Sequence, residues 1–396
     1  MIPLSRMAAQ IQPSATLAAG AKARQLKAEG VSVFDFSLGE PDFPTPAHIV
    51  QAAVQAMQQG HTRYTPASGI VELRAAVARF YRRTYGIDYT PDEVIISGGA
   101  KHAIYNALAA VCGPGDEVII PSPYWTSYSD MVVMTGARPV LVPTTQETKF
   151  RLTPAQLHAA LTPRSKLLML NSPSNPTGSV YTRRELEALA DVVLDAKLAV
   201  LSDEIYERLV FGDAQPTCFA ALRPALREQT LTVSGASKTY AMTGWRIGWA
   251  CGPAHLIKAM GNIQSQQTGN PNSIAQYATV AALDGDQSCV EAMRQEFQAR
   301  RDLVCRRLLA LPGVTLAIPE GAFYVFFNVS AHFGRTLGGR SIPDSAAFCQ
   351  AALETAHVNL VPGSAFGAEG YVRLSYAASR EQLNGGLDQL EKLLKG

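Results

Sequence analysis

The chain reads as an α/β protein: a mostly parallel, doubly wound sheet with a second, smaller α+β domain. Three observations predict this. From about Pro46 to Leu283, helical patterns alternate with short apolar strands, as parallel strands joined by crossover helices require. After Pro312-Gly313 the pattern changes to two strands, then helix, strand and helix. At 396 residues, with 47% apolar and 17% charged side chains, the chain exceeds the usual span of one domain and carries a sizeable core.

The elements follow in order. Residues 1–12 read as an N-terminal arm of mixed character. Val71 to Tyr85 has helical spacing. Val94-Ile95-Ile96-Ser97 is a strand that meets Gly98-Gly99-Ala100-Lys101, and a helix then runs to about Val111. Val118 to Ile120 and Leu167 to Leu170 are apolar strands, with Arg184 to Ala196 as a helix. Leu198 to Leu201 and Thr230 to Val233 read as central strands, buried on both faces. Glu291 to Leu311 is a long helix, followed by strands at Val314 to Ile318 and Phe323 to Val329. The larger domain therefore spans about 46–290 and the smaller one includes 291–396.

Open α/β sheets bind ligands beyond the carboxyl ends of their strands, and four strand ends here carry chemistry. Gly99-Ala100 at a helix start offers backbone N–H groups and a helix dipole to an anion. Asn171 to Gly178 holds two prolines, and Pro176 pushes Asn175 to an extended backbone. Asp203 ends a strand, with Tyr206 three residues on. Read alone, Ser202 or Asp203 could equally cap a following helix. Lys238 lies just past a strand, eight positions before Arg246, in a stretch with few other charges. Burial and neighbouring cations free such an amine for Schiff-base chemistry. A reactive lysine, an arginine for a phosphate and an acid for a protonated ring nitrogen together suit pyridoxal 5′-phosphate.

These motifs resemble the class I pyridoxal-phosphate aminotransferases, in particular the bacterial aspartate aminotransferase subgroup, over nearly the whole chain. Ser37-Leu38-Gly39-Glu40-Pro41-Asp42-Phe43 resembles the family's N-terminal substrate loop. Thr62-Arg63-Tyr64 resembles a segment that reaches the neighbouring subunit's site. Pro123-Tyr124-Trp125 resembles the loop whose aromatic ring covers the cofactor, and Val372-Arg373-Leu374-Ser375-Tyr376 the segment whose arginine binds the substrate carboxylate. The resemblance implies fold type I, adds residues 13–45 to the small domain and implies a homodimer with shared active sites. Tyr64 and Asn270-Pro271-Asn272 are its candidates to cross the interface.

The implied reaction moves the amino group of an L-amino acid to 2-oxoglutarate in two ping-pong half-reactions. Lys238 would hold the cofactor, then act as base and acid in a 1,3-proton shift. Asp203 would keep the ring nitrogen protonated, with Tyr206 and Asn175 on the ring oxygen. Arg246, the Gly99-Ala100 backbone, Ser237 and Tyr64 would take the phosphate. Trp125, Gly39, Asn175 and Arg373 would face the substrate, and Arg373 matches a carboxylate bidentately. Lys101 is the candidate for a second, acidic group, because a lysine opposing a helix dipole hints at a ligand. Two positions depart from the family. Gly235 stands where many members have a phosphate-binding serine, with serines at Ser234 and Ser237 instead. Gln12 stands where some members taking aspartate or prephenate have a basic residue. Aspartate is the expected substrate, with aromatic or neutral amino acids or prephenate as the alternative. A lyase or synthase on the same fold is a further one.

Composition excludes other classes. A formal charge of +2, without basic runs interleaved with aromatics, implies neither nucleic acid nor a membrane surface. No apolar run reaches the ~18 residues of a membrane span, and no signal peptide is expected. Six scattered cysteines, none in a Cys-x-x-Cys pair, suit reduced residues of a cytoplasmic protein and no metal site. The aminotransferase pattern starts near Ser14, so a fused DNA-binding regulator is not expected.

Overall fold

The computed structural model describes residues 2–11, 13 and 15–395. Gln12 therefore lies outside the described residues. A two-residue strand, β1 (Phe34–Asp35), precedes seven strands of one large sheet: β2 (Val94–Ser97), β3 (Glu117–Ser122), β4 (Arg138–Pro143), β5 (Ser165–Asn171), β6 (Ala199–Asp203), β7 (Thr230–Gly235) and β8 (Gly248–Cys251). Their order across the sheet is β2-β8-β7-β6-β5-β3-β4. The contacts from β4 through β7 are parallel, and β8 runs antiparallel to both its neighbours.

Alternation along the strands explains why helices cover both faces. Val94 and Ile96 join a core with Leu73, Val77 and Trp249. Ile95, between them, joins a separate core with Ile104, Leu108 and Ile257. Side chains one residue apart on a strand point to opposite faces, so each strand feeds two apolar layers. Each fully buried Leu or Ile contributes about 1.5–3 kcal/mol on this account.

A second, four-stranded sheet has the order β14-β15-β10-β9, built from β9 (Thr315–Leu316), β10 (Tyr324–Asn328), β14 (Val361–Pro362) and β15 (Tyr371–Ser375). The hairpin β11 (Thr336–Leu337) and β12 (Arg340–Ser341) stands apart, and β13 (Val358–Asn359) pairs in parallel with β1. Helices Val71–Tyr85, Ala100–Val111 and Arg183–Asp195 lie where periodicity predicts them. The long helix is Ser288–Leu309. Strand β9 is shorter than the expected Val314 to Ile318; only Thr315 and Leu316 pair, with Asn328 and Phe327. No helix follows Asp203: Ile205 to Arg208 form turns, so the capping alternative for Asp203 is excluded. Among the described residues no helix is long and apolar enough to cross a membrane. Five of the six cysteines are buried, and all six are unpaired.

Candidate active site

The carboxyl ends of β2, β5, β6 and β7 open onto one pocket, which the small sheet closes from the far side. Gly39, Ala100, Lys101, Trp125, Asn175, Asp203, Tyr206, Ser237, Lys238, Arg246 and Arg373 all line it. Eleven of the thirteen residues singled out from sequence thus converge from seven separate segments. Gly99 stands immediately behind the wall, and Tyr64 is 98% exposed and away from the pocket.

Lys238 follows β7 in a single helical turn, Ala236–Thr239. Its ammonium donates to the Gly39 carbonyl. Burial lowers its pKa to about 8, and Arg246 and Arg373 push the same way against Glu40 and Asp203. A substantial fraction of neutral amine is therefore present near neutral pH. The lysine loop is tied to the N-terminal segment: Thr45 donates to the Ala241 carbonyl at 2.7 Å, and Trp245 donates to Thr45 at 3.0 Å. Ala241 and Arg246 both adopt left-handed backbone, at φ 51° and 56°. Non-glycine residues in that region mark functional loops held by their surroundings.

Asp203 is 3% exposed at the end of β6. Burial raises its pKa to about 6, opposed by the Tyr128 hydroxyl and the Ile205 backbone N–H. Tyr128 donates at 2.6 Å. The aspartate thus has two neutral donors and, among the described residues, no salt bridge, with the Lys238 charge a weaker influence in the same direction.

The phosphate-type cradle lies at Gly99, the residue capping helix Ala100–Val111, with φ +94°. A Cβ there would stand 2.4 Å from an Arg246 guanidinium nitrogen and displace it, and the left-handed-side backbone itself favours glycine. Arg246 reaches across to the Gly98 carbonyl at 3.4 Å. Gly248 was not singled out from sequence. A Cβ on it would stand 2.2 Å from the Ala100 nitrogen, so β8 must be bare for the turn to rest on it. The serine ambiguity also has a geometric answer. Ser234 is buried and donates to Glu207 at 2.7 Å, while Ser237 lines the pocket. A Cβ at Gly235 would meet the Gly248 Cα and the Ile247 carbonyl at 3.0 Å, which explains the glycine there.

Arg373 is 1% exposed on β15. It donates to the Asn175 side-chain oxygen at 2.8 Å and the Ser37 carbonyl at 2.6 Å. An arginine only donates, so the Asn175 oxygen faces it and the Asn175 amide nitrogen stays available. The guanidinium lies 4.5 Å over the Tyr324 ring and 4.9 Å over Phe366. Burial lowers its pKa, and its Nε is buried without a hydrogen bond. Lys101 stands 4.8 Å over the Trp125 ring. Its pKa is lowered, first by burial and then by Arg246.

The electrostatics are one-sided. Lys101, Lys238, Arg246 and Arg373 line one pocket, and none of them forms a salt bridge among the described residues. One buried carboxylate, Asp203, faces them. Arg373 is buried and Lys238 partly buried, while Lys101 and Arg246 are exposed at the mouth. A cleft lined by one sign of charge concentrates ligands of the other sign, so the site suits an anion-rich ligand carrying one cationic centre. Pyridoxal phosphate has that pattern, and the donor set fits it: an amine, a glycine cradle, an unpaired arginine and a buried acid.

Two residues that sequence reading did not single out belong to the site. Tyr128 holds Asp203. Tyr324, at the start of β10, shares a 2.8 Å hydrogen bond with the Tyr206 hydroxyl. Both look like ordinary core aromatics in the sequence. Tyr128 lies in the first turn of the helix Ser127–Met134, just after the Trp125 loop.

A lysine and an acid at adjacent strand ends of a doubly wound sheet, with a glycine cradle beside them, define a transferase of fold type I. The chain belongs to the class I and II aminotransferases: that family's model matches residues 31–390. It is 46% identical over 392 residues to an aspartate aminotransferase of Geobacillus stearothermophilus, with 99% of each chain covered. It is 49% identical over 395 residues to an aspartate/prephenate aminotransferase of Cereibacter sphaeroides, again covering 99% of each. Among solved structures, the aspartate aminotransferase of Rhizobium meliloti superposes with a TM-score of 0.97 at 43% identity, covering 100% of this chain and 99% of that one. The Thermus thermophilus aspartate aminotransferase with maleate gives 0.94 at 44% identity, with both chains fully covered.

Proposed function

We propose that this aminotransferase uses pyridoxal 5′-phosphate to move the amino group of L-aspartate to 2-oxoglutarate. The observation that carries the reading is the convergence of Lys238, Asp203 and Arg373 on one pocket with an excess of unpaired cations. The names of the relatives, aspartate and aspartate/prephenate aminotransferases, support the substrate.

When bound, the cofactor supplies an aldehyde and an electron-withdrawing ring that stabilises negative charge at the substrate Cα. Lys238 would anchor it, and the same amine would move a proton from and to the substrate Cα. Asp203, kept anionic by Tyr128, would hold the proton on the ring nitrogen. Tyr206 and Asn175 would donate to the ring oxygen. Arg246, Ser237 and the turn at Gly99-Ala100 would bind the phosphate. Arg373, held by Asn175 and Tyr324, would grip the α-carboxylate and orient the substrate towards Lys238. Trp125 would cover the ring. Lys101, over Trp125, would meet the distal carboxylate of aspartate.

A second reading, prephenate or aromatic amino acids, is favoured by Trp125 and Ile104 on the pocket wall. We also propose a homodimer. A tyrosine with 98% exposure suits a contact with a second copy, and the resemblance puts Tyr64 at the partner's phosphate. In the Asn270–Asn272 segment, Asn272 is already used as a helix cap, accepting from Ala275 at 2.9 Å. The parallel pairing of β1 with β13 supports grouping residues 13–45 with 291–396. The deciding experiment compares kcat/KM for aspartate, phenylalanine and alanine, each with 2-oxoglutarate. Aspartate should lead; a larger value for phenylalanine would favour the second reading.

A further inference from the structure

Among the described residues the Tyr206 hydroxyl has one hydrogen-bond partner, the hydroxyl of Tyr324, 2.8 Å away. The two residues come from different sheets. Tyr206 follows β6 of the large sheet, while Tyr324 opens β10 of the small one. Both are buried, at 3% and 1% exposure. The rings meet edge to face, 5.8 Å between centroids at 85°. Phe323 braces Tyr206 in the same way at 5.4 Å and 88°.

Tyr324 has two further contacts. Its face lies 4.5 Å under the Arg373 guanidinium. Its hydroxyl stands 2.6 Å from where a Cβ on Gly39 would be, so the substrate loop closes directly onto it. One side chain thus touches the cofactor-side phenol, the carboxylate-binding arginine and the loop that receives the Lys238 ammonium.

Two hydroxyls that share one hydrogen bond use one proton between them. When Tyr324 donates, the Tyr206 proton is left for another acceptor, and the accepted bond polarises it towards that acceptor. When Tyr206 donates, its proton is spent. Among the described residues the Tyr324 hydroxyl has no other hydrogen-bond partner: the Gly39 carbonyl accepts from Lys238 and Arg373 only donates.

We propose that Tyr324 is a positioning residue for transamination: its hydroxyl donates to Tyr206 and so frees and strengthens the phenol that serves the cofactor ring oxygen. This rests on the reading of Tyr206 as the ring-oxygen contact. Tyr324 itself touches no reacting atom.

The test is the pH midpoint of the visible absorbance of bound pyridoxal phosphate, measured on the holoenzyme with no substrate. A donor to the ring oxygen stabilises its anionic form, so weakening that donor raises the midpoint. Lys238, Asp203, Arg246 and Arg373 also set this midpoint, and Tyr324→Phe leaves all four in place. Tyr206→Phe should raise the midpoint. Tyr324→Phe should raise it less, by about 0.5 pH unit, the scale of one weakened buried hydrogen bond. The double variant should match Tyr206→Phe alone, because Tyr324 acts through Tyr206. If Tyr206→Phe moves the midpoint and Tyr324→Phe does not, or if the two effects add, the relay is wrong and the role of Tyr206 stands. If neither variant moves it, the reading of Tyr206 falls and the relay with it. Tyr324→Leu, which also removes the ring under Arg373, should raise the KM for aspartate beyond the value for Tyr324→Phe. Equal KM values would overturn the contact with Arg373 as a positioning one.

Discussion

Tyr128 donates its phenol to Asp203 at 2.6 Å, and this bond keeps a fully buried carboxylate useful as an anion. Burial alone drives Asp203 towards its neutral form. A charge-assisted bond from a neutral hydroxyl opposes that without supplying a positive charge that would compete for the ligand's cationic centre.

The first prediction concerns the cost of holding that anion. The folded pKa of Asp203, about 6, lies above its ordinary value of 3.8. A raised acid makes the fold less stable as pH climbs through the window from 3.8 to 6, and the penalty is constant above it. Asp203→Asn should therefore stabilise the apoprotein by about 2–3 kcal/mol at pH 8. The gap should narrow at pH 5. The same variant should lose several kcal/mol of transition-state stabilisation. Urea denaturation at the two pH values checks the first part, and a pH-independent gap would contradict it.

Lys238 should carry the cofactor covalently. Borohydride treatment of the yellow holoenzyme should bleach it and place the label on one peptide containing Lys238. A Lys238→Ala protein that still takes a reducible label would refute the assignment.

The bare surface of β8 should matter as much as the cradle itself. In Gly248→Ala the new methyl meets the Ala100 nitrogen at 2.2 Å and the Gly99 carbonyl carbon at 2.5 Å. Both are backbone, so the turn must move. Overpacking of this kind costs about 1–3 kcal/mol. Pyridoxal phosphate affinity should fall by tenfold or more, on the order of 1.4 kcal/mol per decade. Fluorescence titration of the apoprotein measures it; wild-type affinity with an unchanged melting temperature would show that the turn does not depend on β8.

Lys101 should select for acidic substrates. Its amine lies over Trp125 on the pocket wall, 4.8 Å from the ring centroid. Lys101→Ser should lower kcat/KM for aspartate by about tenfold to a hundredfold, the range of a lost charge-assisted bond, while phenylalanine is little changed. An equal loss for both substrates would remove Lys101 from specificity.

Shared sites have a direct test. Tyr64→Ala and Lys238→Ala subunits, each impaired alone, should partly restore activity when mixed and allowed to exchange. A fully active monomer in sedimentation would rule out the shared arrangement.

Much of this site was legible in the residues alone because it is assembled at strand ends. An apolar run followed by Asp203, by Lys238 or by Gly98-Gly99 announces where the chain leaves the sheet, and a parallel sheet puts all such exits on one edge. Repeat spacing likewise identified the helices Val71–Tyr85 and Ala100–Val111. Strand β8, Gly248 to Cys251, was less visible: it opens on glycine and carries no run of β-branched residues such as Val94-Ile95-Ile96.

What the sequence determined by itself was the order of elements and the chemical type of each strand end, since both follow from local periodicity and from residue chemistry. What the tertiary structure alone decided was pairing across distance. That Tyr128 serves Asp203, that Tyr324 meets Tyr206, that Gly248 must be bare and that Ser234 is spent on Glu207 all depend on contacts between segments far apart in the chain. A tyrosine looks the same in a sequence whether its hydroxyl is idle or holds a buried carboxylate. Only packing, which fixes distance and removes water, makes that difference.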